Sequence, residues 1–138
     1  MLKLSSKMKR DYRCPAKEMY SASPLFRKAY NYAKKNYDLI LILSGQHHLL
    51  LPEKEIDPYQ CPLDDMSVSE REAWAKIVFG RILEKLEINT IEKVFFHAGE
   101  KYREFLLPML QKRGIQCIVP LEGLKVGKQL AWYDQHKC

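Results

Sequence analysis

The segment from Asp38 to Pro52 constrains this chain most. Leu39 to Leu43 is an unbroken apolar run of strand length. A strand without polar alternation is buried on both faces, the state of a central strand flanked by helices. Ser44 and Gly45 end the run, and His47 and His48 follow in a Ser-Gly-Gln-His-His turn. In open α/β sheets the ligand crevice lies beyond the carboxyl ends of the strands, so chemistry is expected first at this turn.

Around that run, strand and helix signals alternate. Leu2 and Leu4 flank Lys3 as a short opening strand, and Pro15 suits the first position of a helical turn over 15–20. Ser23-Pro24 reads as N-cap and first residue of a firm helix, with Leu25, Phe26, Ala29, Tyr30 and Ala33 on one apolar stripe. Tyr30, Tyr32 and Tyr37 read as packing residues with solvated hydroxyls rather than as a base-stacking platform. The connection over 49–66 carries prolines at 52, 58 and 62, and loops of this length often serve as lids. Ser67-Val-Ser-Glu70 is a capping box that launches a helix over 68–86. Ala73, Ile77, Val78, Ile82 and Leu86 should face inward, with Trp74 at the edge.

A third strand runs from Lys93 towards Gly99. A helix over 100–113 follows, which Pro108 should kink or divide and Gly114 should stop. Ile115–Pro120 is the fourth strand, 121–127 a turn and 128–135 a short final helix. With a helix in every crossover, the expected fold is α/β: one domain over 1–138, a three-layer α/β/α arrangement around a mostly parallel sheet of about four strands.

The longest apolar runs are far shorter than the roughly 20 residues needed to span a bilayer, and the N-terminus has no signal-peptide core. A cytoplasmic protein with no membrane partner is expected. The four cysteines, at 14, 61, 117 and 138, have no zinc-like or CxxC spacing, so reduced thiols are expected, Cys117 in the core and Cys138 exposed. The net charge of +6 is uneven: residues 1–36 hold ten Lys/Arg against two acids, and residues 37–72 hold two against eight. Such polarity suits nucleic acid or nucleotide phosphates. It equally suits two ends that neutralise each other.

The strand ends bring together phosphate binders, groups that titrate near neutral pH and aromatic faces. Ser5, Ser6, Lys7 and Lys9 follow the first strand. This stretch has no P-loop glycines, but its hydroxyls and ammonium groups suit an anion. Ser44, His47 and His48 follow the second strand, His97 and Gly99 the third, and the turn from Pro120 to Gly123 the fourth, with Tyr20 and Tyr59 on loops at the same edge. Lys7 and Lys9 would hold a phosphate, His47 would move a proton, and Tyr59 or Tyr20 would contact a base. The structural alternatives are a Ser44 that caps the strand, a His47 bonded to a loop carbonyl and a His97 that packs. No cofactor motif is present, and adjacent His47 and His48 with no carboxylate partner do not make a metal triad.

These residues carry a resemblance. Ser6, Lys7 and Lys9 in the opening loop, then Pro15, Ala16, Met19, Tyr20, Ser21 and Phe26, match the start of a pattern that continues at Leu43, Ser44, His47, Leu49, Leu50, Pro58 and Tyr59. It closes at Pro120, Leu121, Gly123, Leu124, Gly127, Gln129 and Leu130. Over nearly its whole length the chain resembles a family of short bacterial and phage proteins known only as a domain of unknown function, the 6884 type. Gln129 enters the candidate ligand-binding set through this resemblance. Here Ser5 stands for the family's cysteine, Gln46 for lysine, His48 for glycine and Gln60 for aspartate. The opening loop is similar to that of the peroxide-stress YaaA proteins, and the layout more distantly to archaeosine-synthase domains with a uracil-glycosylase-like fold. Asp57-Pro58-Tyr59 matches the tripeptide of uracil-DNA glycosylase water-activating loops, but lies far beyond the strand end and lacks their Gly-Gln. The resemblance implies nucleobase, nucleotide or nucleic-acid work, with glycosidic-bond or base-modification chemistry as one form of it. The missing lysine and aspartate favour a non-catalytic nucleic-acid- or nucleotide-binding module, the retained Ser-x-x-His and Gly-x-Gln-Leu signatures favour an enzyme, and a protein-interaction module is a third alternative. Oligomeric state is not legible.

Overall fold

A computed structural model describes residues 12–19, 21, 23–58, 65–86 and 90–136, and the backbone of 2–4. The apolar run does supply a central strand, but a short one. Strand β3 (Ile42–Ser44) lies between β1 (Leu2–Leu4), parallel to it, and β4 (His48–Leu50), antiparallel to it. Leu41, Ile42 and Leu43 are buried, whereas Leu39, 50% exposed, precedes the strand. Alternate residues of β3 serve different cores, as the lack of polar alternation requires.

Ile42 and Leu50 join Phe26, Ala29 and Tyr133 in one core, with helices α1 (Ala16–Met19), α2 (Pro24–Asn36) and α6 (Val126–Gln135) around it. Leu41, Leu43 and Leu49 join Trp74, Val78, Ile82 and Phe96 in the other, enclosed by α3 (Val68–Lys85), α4 (Glu100–Arg103) and α5 (Leu106–Lys112). Two further ladders are separate: β2 (Cys14–Pro15) antiparallel to β5 (Glu55–Ile56), and β6 (Lys93–Phe95) parallel to β7 (Gln116–Ile118).

The expected three-layer α/β/α fold with a mostly parallel four-stranded sheet is therefore not what forms. The chain reverses directly after Ser44 instead of crossing over through a helix, so β3 takes an antiparallel neighbour. The parallel pairs β1–β3 and β6–β7 are three residues long and belong to different ladders among the described residues. The connection read as a lid contributes β4 and β5, because Leu49, Leu50 and Ile56 are buried.

Local signals fare better. Ser23 caps α2 through the Phe26 N–H, with Pro24 at its first position, and Ser67 and Glu70 form a complete capping box on α3. The buried face of α3 is rotated from the expected one: Trp74 and Ala75 turn inward, while Ala73 is exposed and Ile77 is 44% exposed. Trp74 is fixed there by its indole N–H, which donates to the Ser44 carbonyl at 2.8 Å. Pro108 divides its helix, but upstream, because a proline ring clashes with the carbonyl four residues before it. The break thus falls between Arg103 and Leu106, and Pro108 sits in the first turn of α5. Gly114, at φ +82°, ends α5 with the Ile115 N–H bonded to the Leu110 carbonyl and its own N–H to that of Gln111.

Charge from the basic first third and the acidic middle of the sequence meets in ion pairs. Arg13 pairs with Glu55 at 3.6 Å and Asp57 at 3.0 Å, and Lys17 pairs with Glu53 at 2.8 Å. Part of the basic first third is therefore neutralised by the acidic middle. Among the described residues, no helix is long and apolar enough to cross a membrane.

Candidate functional site

A cleft of about 470 Å3 opens beyond the carboxyl ends of β6 and β7. That volume suits a small molecule. Its walls are the first turns of α2, the connection from β6 to α4, the connection from β7 to α6, and α6 itself. Four of the expected ligand-binding residues, His97, Gly99, Gly123 and Gln129, line it together. Gly99 is the N-cap of α4, and Gly123 takes φ +81° in the turn that returns the chain to α6, a conformation glycine adopts without cost. Leu25, Phe26, Leu121 and Leu124 make much of the wall apolar.

Gln129 projects from the first turns of α6, and its Nε2 donates to the Leu124 carbonyl at 2.8 Å. That bond fixes the orientation of the amide. Among the described residues Oε1 and the second N–H have no partner, and both can take others.

His97 is held from both sides. Its Nε2 lies 2.6 Å from the Tyr37 hydroxyl and its Nδ1 lies 2.7 Å from the Tyr133 hydroxyl. Burial pushes its pKa down to about 4, so the ring is neutral at physiological pH. Whichever nitrogen carries the proton, that N–H donates to one tyrosine and the other nitrogen accepts from the second. Burial raises the pKa of both tyrosines, which stay protonated. The expected solvated hydroxyl of Tyr37 is thus corrected: its ring stacks on Phe95 and its hydroxyl faces the imidazole. Tyr32 and Trp132 pack their rings against the same group. His97 is a wall residue that orients Tyr133, rather than a solvent-facing acid or base.

His47 and Ser44 do not line this cleft. They belong to the hairpin between β3 and β4. Ser44 is fully buried; its hydroxyl accepts from the His47 N–H at 3.0 Å, as in the capping alternative. Arg81 donates to the His47 carbonyl at 2.7 Å. Burial and the Arg81 charge lower the pKa of both His47 and His48. His48 has φ +64°, and the Leu49 N–H bonds back across it to the His47 carbonyl at 2.8 Å. This is the γ-turn geometry with positive φ, which is strained for a side chain larger than glycine. Ser5, Ser6, Lys7, Lys9, Tyr20 and Tyr59 lie outside the described residues, as do Cys61 and Cys138. No group of three His, Cys, Asp or Glu side chains among the described residues is placed to hold a metal ion.

Sequence reasoning missed Tyr133 and Arg103, both of which line the cleft. Tyr133 was within reach, since it lies one helical turn beyond Gln129 on the same face. Arg103 carried no signal. It is the last residue of α4.

Compared with curated proteins and with solved structures, the chain finds no match, so neither comparison supports the likeness to YaaA or uracil-glycosylase domains. The full-length pattern that closes at Gln129 and Leu130 is a different matter. The model of the family of unknown function DUF6884 matches residues 2–135, and the chain belongs to that family.

Proposed function

We propose that the cleft beyond β6 and β7 binds a nucleobase-bearing small molecule. The observation that carries this reading is the convergence of His97, Gly99, Gly123 and Gln129, from separate stretches of sequence, on one cleft with apolar walls. A planar base fits between the apolar side chains of α2 and of the β7–α6 connection. The amide of Gln129, anchored by Leu124, offers a donor and an acceptor to a base edge, the kind of pairing by which side-chain amides read bases. The Tyr133 hydroxyl, oriented by neutral His97, is a second polar contact. The ion pairs of Arg13 and Lys17 favour a small ligand over a nucleic-acid strand, because they withdraw basic charge from any such surface.

A thermal-shift screen of the full chain against nucleobases, nucleosides, nucleotides and short oligonucleotides tests the proposal. A ligand at 100 times its dissociation constant stabilises by about 2.7 kcal/mol. The shift is expected to vanish in Gln129→Ala and to persist in His47→Ala, which lies outside the cleft. The opposite pattern moves the site to the hairpin. Incubating a bound nucleoside and following release of free base separates a binding module from an enzyme that cleaves the glycosidic bond.

A further inference from the structure

We infer that the ligand of this cleft carries a single phosphate, and that Arg103 receives it. This deepens the proposed function and rests on it for where the base sits, but the anion site can be tested alone. The Arg103 side chain is only 17% exposed, and it lines the cleft with Gln129 and His97. Its Nε is shielded from solvent and has no hydrogen-bond partner among the described residues. Among the described residues its ion-pair partner is the Glu122 carboxylate, 3.9 Å from Nη1, and the Glu122 side chain is itself 69% exposed.

Arg71 shows what a satisfied arginine looks like in this protein. Its side chain is 12% exposed, its Nε donates to Glu104 at 2.7 Å and its Nη1 donates to the Met66 carbonyl at 2.8 Å. Arg103 is nearly as secluded and, among the described residues, makes neither kind of bond. A guanidinium remains charged at any physiological pH and presents its donors as a planar fork, which suits two oxygens of one phosphate. Leaving such a donor buried and unpaired costs free energy, which an oxyanion that draws the guanidinium towards the cleft would recover.

The neighbours set the size of the charge. His97 is neutral and neither attracts nor repels the anion. Arg103 gives one phosphate a partner, whereas Glu100, which lines the same cleft, and Glu122, which stands at Arg103, would meet the further charges of a triphosphate chain with like charge. A nucleoside monophosphate fits both halves of the cleft.

Calorimetric titration of the full chain with a nucleoside, its 5′-monophosphate and inorganic phosphate tests this, using wild type, Arg103→Gln and Glu122→Gln. The monophosphate should bind roughly 10- to 100-fold more tightly than the nucleoside, the span expected of a charged hydrogen bond. That gap should close in Arg103→Gln and widen in Glu122→Gln, which removes the competing carboxylate. Equal affinity of wild type for nucleoside and monophosphate, or a gap that survives in Arg103→Gln, overturns the inference and leaves the base-binding reading intact. Phosphate binding that depends on Arg103, without any nucleoside binding, sustains the anion site and removes the base. Silence towards all three removes both. If Arg103→Gln does not fold, Glu122→Gln decides, since an unchanged monophosphate affinity then counts against the role of Arg103.

Discussion

The hairpin after β3 and the cleft after β6 both place histidines at strand ends, and they treat them in opposite ways. His97 has a tyrosine hydroxyl on each ring nitrogen and lies in a wall of packed aromatic rings. His48 has strained backbone at φ +64°, and its Nδ1 is shielded from solvent with no hydrogen-bond partner among the described residues. Both rings have lowered pKa values for the same first reason, burial. The hairpin closes on itself through Ser44, Arg81 and Trp74, whereas the cleft stays open around an ordered polar wall. Histidines at two strand ends therefore meet different surroundings: those of the hairpin are tied to α3, and His97 lies in the wall of a cleft.

The contrast can be broken most strongly with acid. His97 titrates at about 4 when folded and near 6.5 when unfolded, so the unfolded chain binds the extra proton first as pH falls. The stability due to its neutral state is complete above pH ~6.5 and is lost towards pH ~4, a loss of at most ~3 kcal/mol. Denaturant midpoints across that window should fall more steeply in wild type than in His97→Asn. Equal slopes would mean that His97 is not the group responsible.

Tyr133→Phe removes one hydroxyl from the ring and leaves a buried nitrogen unpaired, with an expected cost of about 1–3 kcal/mol. Its midpoint in urea should drop, and binding in the cleft should weaken with it. In the hairpin, Ser44→Ala strips the acceptor from the His47 N–H and should cost about 1–2 kcal/mol while leaving binding in the cleft unchanged. A loss of ligand affinity in that variant would join the two regions into one site. The smallest effect has the opposite sign: His48→Gly should stabilise the fold by about 1 kcal/mol, because glycine accepts positive φ without strain. A glycine variant no more stable than wild type would show that the imidazole earns its place through contacts.

Much of the local structure was legible in the residues. The capping box at Ser67 and Glu70, the Ser23-Pro24 helix start and the glycine stop at 114 depend on neighbours a few residues apart, where composition dictates geometry. The sheet was misread because pairing joins residues distant in sequence. The Ser-Gly-Gln-His-His turn after Ser44 was legible, but not that the chain would pair back on β3 at once. The rotation of α3 escaped for a similar reason, since Trp74 faces inward to reach a carbonyl on β3.

The sequence alone determined which segments are apolar and where α2 and α3 are capped, and it placed His97, Gly99, Gly123 and Gln129 in a wider candidate set with Ser5, Ser6, Lys7, Lys9, Tyr20, Ser44, His47 and Tyr59. These follow from side-chain chemistry and short-range backbone preference. Tertiary structure alone decided that those four residues share a cleft while Ser44 and His47 do not. It also decided that Tyr37 and Tyr133 clasp His97, and that Arg103 lines the cleft with no partner for its Nε among the described residues. Hydrogen bonds between distant residues and the burial of charge depend on how elements pack, and no one stretch of chain encodes that.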